Sequence, residues 1–366
     1  VPTVSPDPRV SNKQKSLNEL RNTRIFVTGA SGLVGLDFIE SLLADYGGFA
    51  VASVRASTKT EYLNQIAARY NGRLVFVTAN LDDVESLCAG MQGCDAVVHA
   101  AATIDPNGNG KNLRAVNVQG TQNALNAAIK AGVKHFVHIS SLSVITGEED
   151  KFNVNEAEPL RHCREAYANS KIDAELIVMQ ECGKGNIEVT SLRPGFIYGP
   201  HEQAWLPRLM QALKAGRALV VGGGVKETNV IYVKNLTKAI CLAVMNPVAY
   251  GQVYNLTDGQ KITKKQLFDT VADELGLPRA RIKVSVGIAR LICEMSSFAA
   301  PWAPPVLEPI LSRYSRPAFR LAAINQGFDI TKAERELGYT DRIPFSVGMT
   351  ETLQVWKARL KQQSCS

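Results

Sequence analysis

The sequence predicts an α/β fold: a doubly wound parallel sheet followed by a smaller C-terminal region. Three observations predict it. Short apolar runs alternate with helical stretches through the first half of the chain. A glycine-rich turn follows the first of those runs. After Arg193 the pattern loosens into turns and prolines. With 366 residues, 45% of them hydrophobic and 20% charged, the chain can bury a large core and divide into two regions.

The elements follow in order. Residues 1–22 are polar and proline-containing and read as a mobile tail without the apolar stretch of a secretory signal. Strands are expected at Arg24–Thr28, Phe49–Val54, Leu74–Thr78, Ala96–His99, His135–Ser140 and Glu188–Leu192. Helices fall between them, including Gly32–Ala44, Asn117–Ala131 and Glu165–Glu181. Residues 23–193 form the sheet domain. Residues 194–366 form mainly the smaller region, with the chain crossing back to the sheet. There, Ile231–Met245 and Lys264–Leu275 look helical, Gly222–Gly224 marks a turn, and Pro301–Pro309 breaks any long helix.

The turn reads Thr28-Gly29-Ala30-Ser31-Gly32-Leu33-Val34-Gly35. Strand, glycine turn and helix in this order suit a pyrophosphate. Glycine lets the backbone come close, and a helix N-terminus offers free N–H groups and a positive dipole end. The spacing is G-x-x-G-x-x-G, and a tight turn without a ligand is the plainer alternative. At the end of the second strand an acid would hold a ribose 2′-hydroxyl and a base would accept a 2′-phosphate. Here Arg55 stands with Ser57 and Thr58, and no acid is present. A solvated arginine is the alternative; the reading leans to NADP(H), with NAD(H) second.

Tyr167 and Lys171 stand four apart, on one face if the segment is helical. A phenol titrates near ~10, and a neighbouring ammonium is expected to lower that value so that the tyrosine can exchange a proton at neutral pH. Alone, the pair is as well explained by a solvated helix. Companions change the balance: Ser140 and Ser141 after a strand, Asn117–Thr121 at a helix start, and small Ala100, Ala101 and Ala102 after His99. His99 itself reads as a packed strand-end residue.

Together these motifs, with Asn80-Leu81-Asp82-Asp83 and Leu192–Pro200, resemble the extended short-chain dehydrogenase/reductase family from Arg24 to about Trp356. The resemblance implies a Rossmann domain with a small C-terminal substrate-binding domain. It implies catalytic Ser141, Tyr167 and Lys171. The cofactor would be held by Gly29, Ser31, Gly32, Leu33, Val34, Gly35, Arg55, Asn80, Leu81, Ala100, Ala101, Ala102, Asn117 and Pro194, together with Tyr167 and Lys171. Asn80 departs from the usual aspartate, although its carbonyl oxygen can still accept a hydrogen bond.

Two branches of that family compete. Nucleotide-sugar epimerases and reductases commonly place an arginine where Thr228 stands here, and threonine cannot clamp a pyrophosphate. Tyr232–Leu236 and Phe328–Tyr339 look like the 3β-hydroxysteroid and sterol-4-carboxylate dehydrogenase branch. The leading expectation is therefore interconversion of a secondary alcohol and a ketone on a hydrophobic, sterol-like or acyl-derived molecule. A silent nicotinamide-binding scaffold is the reading from another class, and the intact proton-transfer set argues against it.

The remaining expectations concern surroundings. Seven scattered cysteines and no metal-ligand spacing point to free thiols, a reducing cytoplasmic setting and no metal. The charge of +7 comes without an arginine–aromatic cluster, which speaks against nucleic acid. A homodimer is admitted. Residues 278–320 concentrate Arg279, Arg281, Lys283, Arg290, Arg313, Arg316 and Arg320 against Glu294 and Glu308. Val284, Ile288, Leu291, Ile292, Met295 and Phe298 share a helical face there, followed by Trp302 and Leu307. Internal packing is one reading. The other is a hydrophobic lid that also rests on an anionic membrane surface.

Overall fold

The computed structural model describes residues 20–104, 111–299 and 316–364, together with 302, 304, 306 and 314. Seven parallel strands form the central sheet: β1 (Arg24–Thr28), β2 (Phe49–Val54), β3 (Leu74–Thr78), β4 (Ala96–His99), β5 (His135–Ile139), β6 (Glu188–Pro194) and β7 (Gln252–Leu256). Their spatial order is β7-β6-β5-β4-β1-β2-β3. The order reverses between β1 and β4, which opens a crevice beyond the carboxyl ends of those strands, where α/β sheets of this kind take ligands.

The central strands are rich in valine and isoleucine because both faces are covered. Phe38, Ile39 and Leu42 of α1 (Leu33–Ala44) pack on one face. Leu87 and Met91 of α2 (Val84–Met91) and Ala124, Leu125 and Ala128 of α3 (Gly120–Lys130) pack on the other. The helix that carries Tyr167 is α4 (Ala166–Met179). Later come α5 (Val233–Ala243), α6 (Lys264–Leu275), α7 (Val286–Ala299) and α8 (Arg316–Ala323). A third cluster, built from Tyr198, Leu206, Tyr232, Leu267, Phe345 and Met349, forms the core of the C-terminal layer.

Several expectations change. The tail expected over 1–22 overlaps the packed chain, because Leu20 is fully buried in a short turn at Leu20–Asn22. Ile231–Met245 is not one helix. Val230–Tyr232 is a strand parallel to Phe196–Tyr198, as its β-branched and aromatic side chains favour, and α5 starts only at Val233. The strand β7, mixed in polarity, was absent from the expected set; it joins the sheet edge beside β6. Asn117 sits in a π-helical turn, Arg114–Gln119, that precedes α3. Within 278–320, Ile288, Leu291, Met295 and Phe298 on α7 are exposed, as are Trp302 and Val306, whereas Cys293, Ser296 and Arg320 are buried. Val284 belongs to a short strand before that helix, and Leu307 lies outside the described residues.

Candidate active site

The site residues converge because their strands end on one edge. Thr28, His99 and His138 are register partners across β1, β4 and β5, and Ile139 stands opposite Leu192. The residues just beyond those strand ends are Gly29, Ala100–Ala102, Ser140 and Ser141, and β6 ends at Pro194 itself.

The glycine turn is tight because backbone crowds it. Gly29 has φ +66°, and a Cβ there would lie 2.8 Å from the Ala101 backbone. A Cβ on Gly35 would lie 2.3 Å from the Gly29 carbonyl oxygen, and backbone on both sides leaves nothing free to move. The Gly32 N–H donates to the Gly29 carbonyl at 2.9 Å. Ser31 and Gly32 are exposed, while Leu33 and Val34 are half-buried at the start of α1. The exposed N-terminus with its unpaired N–H groups therefore fits a dinucleotide pyrophosphate, and a side chain at Gly29 would fill the approach.

His99 is structural, as expected. Its ring bridges Thr28 Oγ1 at 2.8 Å and Thr121 Oγ1 at 3.0 Å, and burial pushes it down to about 3, so it stays neutral. The Ala101 N–H donates to the same Thr28 hydroxyl at 3.2 Å, which holds the alanine loop over the glycine turn. Asn117 clamps that loop to α4. Its carboxamide accepts from the Thr103 N–H at 2.8 Å and donates to the Thr103 carbonyl at 2.9 Å and to Ser170 Oγ at 3.0 Å. Asn80 is exposed and accepts from the Leu81 N–H at 2.9 Å. Arg55 is exposed at the end of β2, where its N–H donates to Thr58 Oγ1 at 3.0 Å. Pro194 is buried, and its carbonyl accepts from the Leu142 N–H at 2.9 Å.

Tyr167 is half-buried, and Ser141 stands near enough to act on its phenol. Burial wins at this group and holds the phenol above its ordinary value. Ser141 and the Arg320 guanidinium pull it back. The sequence assigned that lowering to Lys171. In the structure Lys171 is 2% exposed and its ammonium donates to the Ile139 carbonyl at 2.8 Å. Desolvation drops the lysine to about 8, with Glu175 opposing the shift. Glu175 is in turn held by Arg193 Nε at 3.0 Å and by Ser191 Oγ at 2.9 Å, all buried. The sequence reading missed Glu175, Arg193 and Arg320. For Glu175 the signal was there, a carboxylate one turn beyond Lys171. Among the described residues no cluster of His, Cys, Asp or Glu could hold a metal, and the described cysteines are free.

Fold and motifs define the class: an NAD(P)-dependent oxidoreductase of the extended short-chain dehydrogenase type. The sequence pattern of the 3-beta hydroxysteroid dehydrogenase/isomerase family matches residues 26–286, and the chain belongs to that family. A 4-hydroxy-2-methyl-3-oxo-4-farnesyl-3,4-dihydroquinoline-1-oxide ketoreductase of Stigmatella aurantiaca is 31% identical over 92% of this chain and 97% of its own. A 3beta-hydroxysteroid-dehydrogenase/decarboxylase of Arabidopsis thaliana is 30% identical over 80% of this chain and 69% of its own. In fold, the chain is similar to the dTDP-glucose 4,6-dehydratase of Streptomyces venezuelae with NAD bound. The TM-score is 0.73 at 24% identity, covering 92% of this chain and 97% of that one.

The pKa of Lys171 makes a prediction about stability. The folded value, about 8, lies below the ordinary 10.5, so the unfolded chain binds more protons between those values and stability rises with pH across that window. The gap corresponds to roughly 3 kcal/mol. The unfolding free energy of the wild type minus that of Lys171→Met should therefore grow by up to that amount from pH 8 to 10.5. A constant difference in denaturant titrations would show that burial does not depress this lysine.

Proposed function

We propose that the protein interconverts a secondary alcohol and a ketone on a hydrophobic substrate, with Tyr167 exchanging the proton. The observation that carries this reading is the nearness of Ser141, just beyond β5, to the Tyr167 phenol, with Lys171 one helical turn from the tyrosine. A bound nicotinamide would supply the hydride acceptor for oxidation of the carbinol and the hydride donor for reduction of the ketone. In reduction the Tyr167 phenol would give its proton to the substrate oxygen and be left as phenolate; in oxidation that phenolate would take the carbinol O–H proton while the hydride leaves the carbinol carbon. Ser141 would orient the oxygen, and Lys171, one helical turn from Tyr167 and tied to the Ile139 carbonyl, would add positive charge at that end of α4. Gly29, Ser31, Gly32, Leu33, Val34 and Gly35 would cradle the pyrophosphate, Asn80 and Leu81 the adenine, and Ala100–Ala102, Asn117 and Pro194 would border the nicotinamide half.

The named activities of the relatives support a hydrophobic alcohol or ketone: the farnesylated quinoline ketoreductase, the steroid dehydrogenases, and a 2-alkyl-3-oxoalkanoate reductase of Shewanella oneidensis. The nucleotide-sugar alternative lacks a clamp, since the buried Thr228 occupies the arginine position. The exposed Arg55 after β2 favours NADP(H) over NAD(H).

The exposed apolar face of α7 supports contact with an anionic membrane surface. Its opposite side carries buried Cys293 and Ser296, and Glu294 pairs with Arg316 of α8 at 2.8 Å. The lid reading thus has an outer apolar face and an inner side seated on α8. Among the described residues no helix is long and apolar enough to cross a membrane.

Three outcomes test these points. Tyr167→Phe keeps the ring and removes the acid; turnover of hydroxysteroids or acyl ketones, followed by nicotinamide absorbance, should fall by at least ~100-fold with cofactor affinity nearly intact. Near wild-type turnover would remove Tyr167 from the mechanism. Arg55→Ala removes a charged hydrogen bond worth roughly 1.5–3 kcal/mol, so NADPH affinity should drop about tenfold or more while NADH is barely touched. Equal wild-type affinity for both cofactors would contradict that preference. Co-sedimentation with vesicles should require acidic lipid, weaken with salt and weaken again in Leu291→Asp, each basic residue near the surface adding ~1 kcal/mol. No binding to any vesicle removes the membrane contact.

A further inference from the structure

Four polar side chains stand in one row across the sheet. Thr28, His99, His138 and Ser191 are register partners on β1, β4, β5 and β6, so their side chains share a face. Three of them are matched. Thr28 and Thr121 meet the two ring nitrogens of His99, and Ser191 donates to Glu175 Oε2 at 2.9 Å. His138 is fully buried with its ring 5.7 Å from that of His99, and neither of its nitrogens finds a hydrogen-bond partner among the described residues. Ser140, two residues on, is also buried, and its hydroxyl is likewise unmatched among them. Burial, with Lys171 and His99 nearby, holds His138 far below the ordinary histidine value. A neutral imidazole carries one N–H donor and one acceptor, and leaving both unmet in a dry interior is costly.

The contact between Ser191 and Glu175 shows that α4 covers the face into which His138 points. From that helix Lys171 reaches the Ile139 carbonyl at 2.8 Å, the residue between His138 and Ser140. The Ser140 N–H donates to the Leu192 carbonyl at 2.7 Å, which continues the extended chain one residue beyond β5. In an extended chain the Cα atoms of His138 and Ser140 stand about 6.6 Å apart, a spacing that one water can bridge. An internal water typically makes about three hydrogen bonds. The His138 ring, the Ser140 hydroxyl and the Lys171 ammonium offer three partners on this face. The ionisable groups around the lysine are His99 and His138 below it, Tyr167 one turn away on α4, and Glu175 one turn on. Glu175 is already engaged by Arg193 of β6 and by Ser191, so a neutral partner has the larger part in steadying the ammonium.

We propose that His138 and Ser140 hold a bound water against the Lys171 ammonium, which makes His138 a positioning residue for that lysine. The water gives the ammonium an oxygen besides the Ile139 carbonyl and so favours the charged form against the desolvation of its surroundings. The consequence for catalysis rests on Tyr167 and Lys171 forming the proton-transfer pair; the effect on Lys171 does not.

The ionisation of Lys171 tests this without turnover. Protein isotope-labelled at the lysine ε-carbons is titrated by NMR, and the Lys171 signal is assigned by its loss in Lys171→Met. The wild-type midpoint should lie at about 8. His138→Phe fills a similar space with no polar atom and should lower that midpoint by about one pH unit or more, the weight of a lost hydrogen bond to a charged group. Ser140→Ala should move it the same way. His138→Gln keeps a donor and an acceptor and should stay near the wild type. An unmoved or raised midpoint in either His138→Phe or Ser140→Ala overturns the bound water, and so does a His138→Gln midpoint displaced as far as that of His138→Phe. Should His138→Phe fail to fold, Ser140→Ala alone decides. The pH profile of hydride transfer in the same variants reports on the Tyr167 reading. A lysine midpoint that moves while that profile stays in place would keep the bound water and sink the proposed proton-transfer pair.

Discussion

A buried ion pair between Glu175 and Arg193 ties the helix carrying Tyr167 to the strand that ends at Pro194. Side-chain exposures of 1% and 4% leave no water to substitute for either partner. Removing one partner of such a pair typically costs ~3–5 kcal/mol, because the other is left charged and alone. The pair does not stand by itself. One turn earlier Lys171 reaches the Ile139 carbonyl at the end of β5, and Ser170 takes a hydrogen bond from Asn117. Ser170, Lys171 and Glu175 thus fasten one side of α4 to three different parts of the sheet domain. Tyr167, at the first turn, has little freedom left except in its own torsions.

The same logic of close approach governs the other half of the site. The Gly35 helix start, the Gly29 turn and the Ala101 loop meet backbone to backbone, which only glycine at two of the three places allows. Thr28 and His99 then hold the loop from below through hydrogen bonds between neutral groups. The crevice between β1 and β4 is therefore floored by backbone and small side chains, while its far wall is the pinned α4. Burial sets the electrostatics as well: it keeps the histidines under the sheet edge neutral and pulls Lys171 and Lys264 below the ordinary lysine range.

Much of this was legible in the sequence where local pattern and tertiary packing agree. The first six sheet strands are β-branched apolar runs bounded by glycine or polar turns, and their spacing alone implies parallel crossovers. Tyr167, Lys171 and Ser141 were singled out by type, order and resemblance. Legibility failed where the tertiary partner decides. Gln252–Leu256 is too mixed to look like a buried strand until β6 is beside it. Val230–Tyr232 runs straight into α5, so helical periodicity absorbed it. The apolar stripe of α7 was visible, but a stripe does not say which way it faces. Arg320 was counted among surface charges of a basic stretch, because burial against Glu165 joins residues far apart in the chain.

The central claim is that Tyr167 and Lys171 work as one proton-transfer unit held by the sheet. The most direct measurement is the pH dependence of hydride transfer in a single turnover, compared between the wild type and Lys171→Met. The account predicts that the wild-type rate depends on an ionisation that the variant loses or shifts upward, with the variant slower at neutral pH and the gap narrowing as the tyrosine itself ionises. Superimposable profiles, equal in rate across the whole range, would contradict it.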